Sequence, residues 1–264
     1  MVTKKKILII GCSNGLGLHH VFRDTFKKNK TLNFKVEQSA VGPSGFDDYD
    51  EIASDDLVEF YNLSLSGSGN TYISNRCIEF LTENPTTDYV YIQFSGLQRI
   101  DLPLTKDELG INLKGYRIRH SKYYSWIPSG GYTGSWLNYE FTKRLFSNFY
   151  SKDNALNLHF INLLEIYKCV SFLKQLKIKF NWSTYYDYLL APSSNSSKDG
   201  VIDKESNSYQ IYNMLDKENF VEPPLSFIIK NGFKTQTDQV HYPYESQMEW
   251  LKNIKNKIEL PDIG

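Results

Sequence analysis

Cysteine is scarce in this chain: Cys12, Cys77 and Cys169 are the only three among 264 residues. They are odd in number and share no close spacing, which argues against a disulfide framework and against a zinc site. Charge of one sign is also lacking, since 30 Lys and Arg balance 30 Asp and Glu. No net field therefore draws the chain to nucleic acid or to an anionic membrane. Long apolar runs are missing as well. The lysines at 4–6 lead only into Ile7-Leu8-Ile9-Ile10, too short for a signal sequence, and nothing approaches a membrane span. These shortages predict a protein outside the general export route, with no nucleic-acid or membrane partner, no metal and no cofactor. What is plentiful is aromatic: 19 Tyr and 16 Phe. The length suits one sizeable domain over 1–264, able to bury a core without staples.

Four apolar residues stopped by Gly11 and followed by Cys12-Ser13-Asn14-Gly15-Leu16-Gly17 read as a buried parallel strand turning into a helix. Val21, Phe22 and Phe26 share a face of that helix, expected over 18–28. A short strand is expected at 34–36, a polar loop from Gly42 through Asp50, and a strand at 58–63. A second turn, Ser64-Leu65-Ser66-Gly67-Ser68-Gly69-Asn70, precedes a helix over 71–82 with Ile73, Cys77 and Phe80 on one face. The next strand, 88–94, ends at Ser95-Gly96-Leu97-Gln98-Arg99. Strands alternating with helices predict a three-layer α/β/α sandwich with a mainly parallel, flavodoxin-like sheet, whose loops collect at one edge. Residues 100–135 show no periodic element, and the aromatic stretch 123–132, with Trp126 and Tyr132, reads as a lid or recognition loop. An insertion over about 100–176 is expected, although 136–150 and 155–176 are strong helices. A strand at 177–182 follows, then a polar loop at 192–200, an unpatterned region at 201–234, and a terminal helix carrying Met248, Leu251, Ile254 and Ile258.

A serine hydroxyl is a weak nucleophile until a base takes its proton, and the base works best when a third group fixes its tautomer. Ser13, just past the first strand, and the late pair Asp238 and His241 supply the three residue types. Backbone N–H groups of Ser13 and Gly67, with a side-chain donor after Phe94, would form an oxyanion hole. The other histidines read blandly. His19 and His20 diverge around a helix, His120 lies in a basic loop, and His159 reads as a surface or satisfied group.

Taken in order, Gly11-Cys12-Ser13, then Asn62-Leu63-Ser64 with Gly67-Ser68-Gly69-Asn70, then 91–99, then Asp238-Gln239-Val240-His241 resemble the four blocks of the SGNH (GDSL-like) hydrolases, especially divergent phage and viral members. The resemblance spans the first hundred residues and about the last thirty. It implies Ser13 as nucleophile, His241 as base, Asp238 as its orienter, and Ser13, Gly67 and Gln98 as oxyanion donors. Gln98 stands where the family has asparagine, so Asn70 or Arg99 is a substitute donor or substrate contact, with Trp126 and Tyr132. It further implies an esterase acting on a small-molecule or glycan ester, cytoplasmic or virion-associated. Two alternatives remain open. Gly11, Gly15 and Gly17 with Tyr139, Lys143 and Ser125 satisfy the spacing of an NAD(P)-dependent short-chain dehydrogenase, and a glycan-binding or virion module could keep the fold without the reaction.

Overall fold

The computed structural model describes residues 4–12, 18, 21–22, 24, 35–39, 50–54, 58–64, 67–97, 99, 101–104, 119–120, 125–128, 152–185, 206–234 and 242–258. Strand β1 (Lys5–Gly11) lies between β4 (Val58–Asn62) and β5 (Tyr89–Phe94), parallel to both. The outer strand β9 (Lys179–Thr184) runs parallel to β5. On the other side β2 (Lys35–Ser39) and β3 (Asp50–Ser54) complete a six-stranded sheet of order β2-β3-β4-β1-β5-β9. The four parallel strands thus follow the order 2-1-3-4 of a flavodoxin-like sheet. A dinucleotide-binding half would put a further parallel strand beyond β4, where this chain has β3 antiparallel to β4 and β2 antiparallel to β3. That edge counts against the dehydrogenase alternative.

Period-two alternation distributes the sheet's side chains to two cores. Leu8, Ile10, Val90, Ile92 and Phe94 face one side, against Ile73, Cys77 and Leu81 of helix α1 (Asn70–Glu83) and Leu163, Ile166, Cys169 and Leu173 of helix α2 (Lys152–Leu176). Ile7, Ile9, Phe60, Tyr89 and Tyr91 face the other. They meet Leu18, Val21 and Phe22, Leu225 and Ile228 of helix α4 (Pro224–Lys230), and Trp250, Leu251 and Ile254 of helix α5 (Tyr244–Ile254). Both faces are covered, so the expected α/β/α sandwich is present, and the buried parts of β1 and β5 are mostly apolar for that reason. Each fully buried aliphatic side chain contributes roughly 1.5–3 kcal/mol. Helix α3 (Asn207–Met214) packs at the end of α2's layer through Tyr209 and Tyr212.

Several expectations need correction. The polar loop read through Asp50 ends where β3 begins, and the strand expected at 34–36 is an antiparallel edge strand. The region 201–234 holds α3 and α4. Residues 100–135, read as lacking elements, contain β6 (Asp101–Leu104), β7 (Arg119–His120) and β8 (Ser125–Pro128), joined in an antiparallel sheet of order β6-β8-β7. Their brevity, and the prolines at 103 and 128, hide them from pattern reading. Within 100–176, α2 shares one covering layer of the sheet with α1. His159 is buried, not superficial, and burial pulls its imidazole below the usual range. No described helix is long and apolar enough to cross a membrane.

Candidate functional site at the C-terminal edge of the sheet

Because β1, β4 and β5 run parallel, the segments that follow them leave the sheet at the same edge, where open α/β sheets bind ligands. After β4 the chain is held close to β1, Leu63 donating its N–H to Ile9 O at 2.8 Å. The Asn62 side chain then accepts the Ser64 N–H at 3.0 Å, tightening the exit. Gly67 has φ of 82°, the left-handed region where a β-carbon costs about 1–2 kcal/mol. The oxyanion role that the resemblance implies for Gly67 therefore falls on a residue the backbone requires to be glycine.

Two loops at this edge are stitched together by buried polar side chains. Asn70 Oδ1 accepts the Ser95 N–H at 2.7 Å, and its Nδ2 donates to Ser95 O at 3.3 Å. Arg99 Nη1 donates to Ser68 O at 3.1 Å. The Asp101 carboxylate accepts the N–H of Gly69 and of Tyr72, each at 2.9 Å, and so caps α1 from a distant segment. A β-carbon at Gly69 would lie 2.8 Å from Asp101 Oδ2, which explains glycine there. From α2, Asn162 Nδ2 donates to Leu97 O at 2.9 Å and Arg99 O at 2.8 Å, clamping the backbone on either side of residue 98. Burial pushes the Asp101 carboxyl up to about 6, while the Tyr72 and Gly69 N–H groups and the Arg99 guanidinium oppose the rise. Asn70 and Arg99 are committed to tying the loops together.

On the opposite core face, Gln93 and Tyr242 join the first and last parts of the chain. Gln93 pairs in register with Gly11, and its Nε2 donates to the Tyr242 hydroxyl at 3.1 Å. Burial pushes the Tyr242 phenol well above its usual range; the Gln93 bond opposes this, and neighbouring Tyr91 and Cys12 add to it. Through Gln93, Tyr242 is tied to the strand position in register with Gly11, two residues before Ser13, and is itself the residue following His241.

Ser13, Gln98, Asp238 and His241 lie outside the described residues, as do Tyr132, Gly15, Gly17, Tyr139, Lys143, His19, His20, and the helix expected at 136–150. Trp126 is described as a backbone position in β8, paired with Arg119 of β7 and Pro103 of β6. Among the described residues no three His, Cys, Asp or Glu side chains converge as metal ligands would. Sequence reasoning passed over Gln93, Asp101 and Asn162. Two of them carried a signal: Gln93 is a polar residue in an otherwise apolar strand, and Asn162 follows Leu158 by one helical turn on the apolar face of α2.

No protein-family model and no curated protein sequence matches the chain. Among solved structures it is similar to a catalytic mutant of Axe2, an acetylxylan esterase from Geobacillus stearothermophilus, at 12% identity and a TM-score of 0.45, covering 100% of this chain and 98% of that one. It is also similar to a second Axe2 mutant from Geobacillus, an acetyl-xylooligosaccharide esterase, at 13% identity and a TM-score of 0.44, with 100% and 98% covered.

Proposed function

We propose that the chain is a serine esterase of the SGNH type that removes acyl groups, acetyl foremost, from a carbohydrate. Ser13 attacks the ester carbonyl while His241 takes its proton, and Asp238 holds the imidazole in the productive tautomer. The tetrahedral oxyanion is met by N–H groups of Ser13 and Gly67, with the Gln98 carboxamide as the third donor. Collapse of that intermediate expels the sugar alcohol, protonated by His241, and leaves an acyl-enzyme. His241 then activates water, which releases the acid and restores Ser13. Trp126 and Tyr132 are aromatic residues of the kind that stack on sugar rings, and the reading takes them as substrate contacts.

One observation carries the reading: the Gln93 side chain, in register with Gly11 at the end of β1, donates to the Tyr242 hydroxyl and so links the end of the first strand to the segment before α5. Consecutive Cα atoms are about 3.8 Å apart, so Ser13, two residues past Gly11, and His241, one residue before Tyr242, are each close in sequence to one of the two positions that Gln93 links. A dehydrogenase gives Asp238 and His241 no role and predicts a different sheet edge. The experiment is hydrolysis of p-nitrophenyl acetate by the wild type and by Ser13→Ala. The expected result is turnover abolished in the variant; equal turnover removes Ser13 from the mechanism. Glycan binding by a wild type that lacks turnover would make the chain a binding module.

A further inference from the structure

Strand β5 carries three polar groups along one buried face, and they do not all reach the same neighbour. Tyr89 donates its hydroxyl to Asn181 Oδ1 at 2.9 Å, and the Tyr91 hydroxyl meets Ser183 Oγ at 2.7 Å, so both join β5 to β9. Gln93, the third, reaches away from β9 to Tyr242. The side chains at 93 and 242 are 0% and 3% exposed, and burying a carboxamide and a phenol costs free energy that phenylalanine and leucine would not incur. The Gln93 oxygen finds no partner among the described residues. Its position is distinctive. Gln93 stands beside Gly11 in register, where β1 leads into Cys12 and Ser13. Tyr242 stands between His241 and Pro243, which caps α5. Downstream, α5 is anchored by Trp250 Nε1 donating to Glu222 O at 2.8 Å and Ser246 Oγ donating to Lys234 O at 2.9 Å. The Gln93 bond adds an anchor ahead of the helix, at the residue that follows His241 in sequence.

We infer that Gln93 and Tyr242 are positioning residues: their hydrogen bond holds the backbone next to His241 against the strand that delivers Ser13. This rests on the esterase reading above. A hydrogen bond is directional where an apolar contact is not, and a misplacement of about 1 Å can cost on the order of 10²-fold in rate. The test compares wild type, Tyr242→Phe, Gln93→Leu and the double variant in p-nitrophenyl acetate hydrolysis, with Ser13→Ala beside them and melting temperature measured for each. Tyr242→Phe deletes one oxygen and keeps the ring, so it retains the fold even if Gln93→Leu does not. The expected result is a kcat lowered roughly 10–100-fold with KM within about two-fold of wild type. In the double variant no buried donor is left unpaired, so melting temperature recovers while kcat stays low. Unchanged kcat in Tyr242→Phe, a loss confined to KM, or kcat that recovers together with melting temperature overturns the positioning role. Turnover that survives Ser13→Ala instead overturns the esterase reading, and this inference with it.

Discussion

Replacing Asp101 by asparagine tests whether the buried cap of α1 is governed by desolvation or by its hydrogen bonds. The carboxylate is 3% exposed and accepts two backbone N–H groups at 2.9 Å. Those bonds, the helix N-terminus and Arg99 all favour the charge, yet burial outweighs them and raises the carboxyl from 3.8 to about 6. Between those two values the native protein binds more protons than the unfolded chain. The slope of stability with pH from this group is then negative. Its contribution is fully present below about pH 3.8, is lost as pH rises through about 6, and is flat above that. The difference corresponds to about 3 kcal/mol at ~1.36 kcal/mol per pKa unit. The carboxamide of the Asp101→Asn variant does not titrate, so urea unfolding of wild type and variant at a series of pH values isolates the effect, because all other carboxylates are common to both. Wild type should lose stability relative to Asp101→Asn by up to about 3 kcal/mol between about pH 4 and pH 7. A difference independent of pH, or one that favours wild type increasingly as pH rises, would refute the reasoning and show the hydrogen bonds to dominate.

Two further outcomes follow from the same region and from the core. Gly67→Ala forces a β-carbon into a backbone with φ of 82° and Gly69→Ala pushes one to 2.8 Å from Asp101 Oδ2; each should lower unfolding free energy by about 1–2 kcal/mol or more and depress esterase turnover. Gly96→Ala, whose β-carbon among the described residues meets Tyr185 alone, at 3.4 Å, is the control expected to change stability little. Cys12, Cys77 and Cys169 are buried, and the Cys169 hydrogen bond, then burial, pushes the Cys77 thiol well above its usual range. Ellman's reagent should therefore label none of them in the folded protein and all three in guanidinium; rapid labelling of Cys77 or Cys169 before unfolding would contradict the packing of α1 against α2.

The central layer was legible because its strands are covered on both faces, so burial is written as an uninterrupted apolar run at Ile7–Ile10 and as a run through 89–94 broken only by Gln93. Helices α1, α2 and α5 announced themselves through spacing that places Ile73 with Cys77, and Leu251 with Ile254, on one face. Strands β3, β6, β7 and β8 were not legible. They are two to five residues long, and such short strands owe their stability to pairing with a neighbour, which local sequence does not state.

For the candidate site, the residue types and their order could be read along the chain: serine after the first strand, glycines after the strand at 58–63, and an Asp and His near the end. What holds those loops was settled by packing. Gln93 finds Tyr242 across 149 residues, Asn162 finds Leu97 across 65, and Asp101 finds Gly69 across 32. Each is a polar side chain buried at a cost that distant partners offset, joined for Asn162 by Leu158 O one helical turn away. A pattern of neighbours in sequence records which residues are apolar; it does not record which remote backbone group a buried amide or carboxylate will meet, because the packing of the sandwich brings the two together.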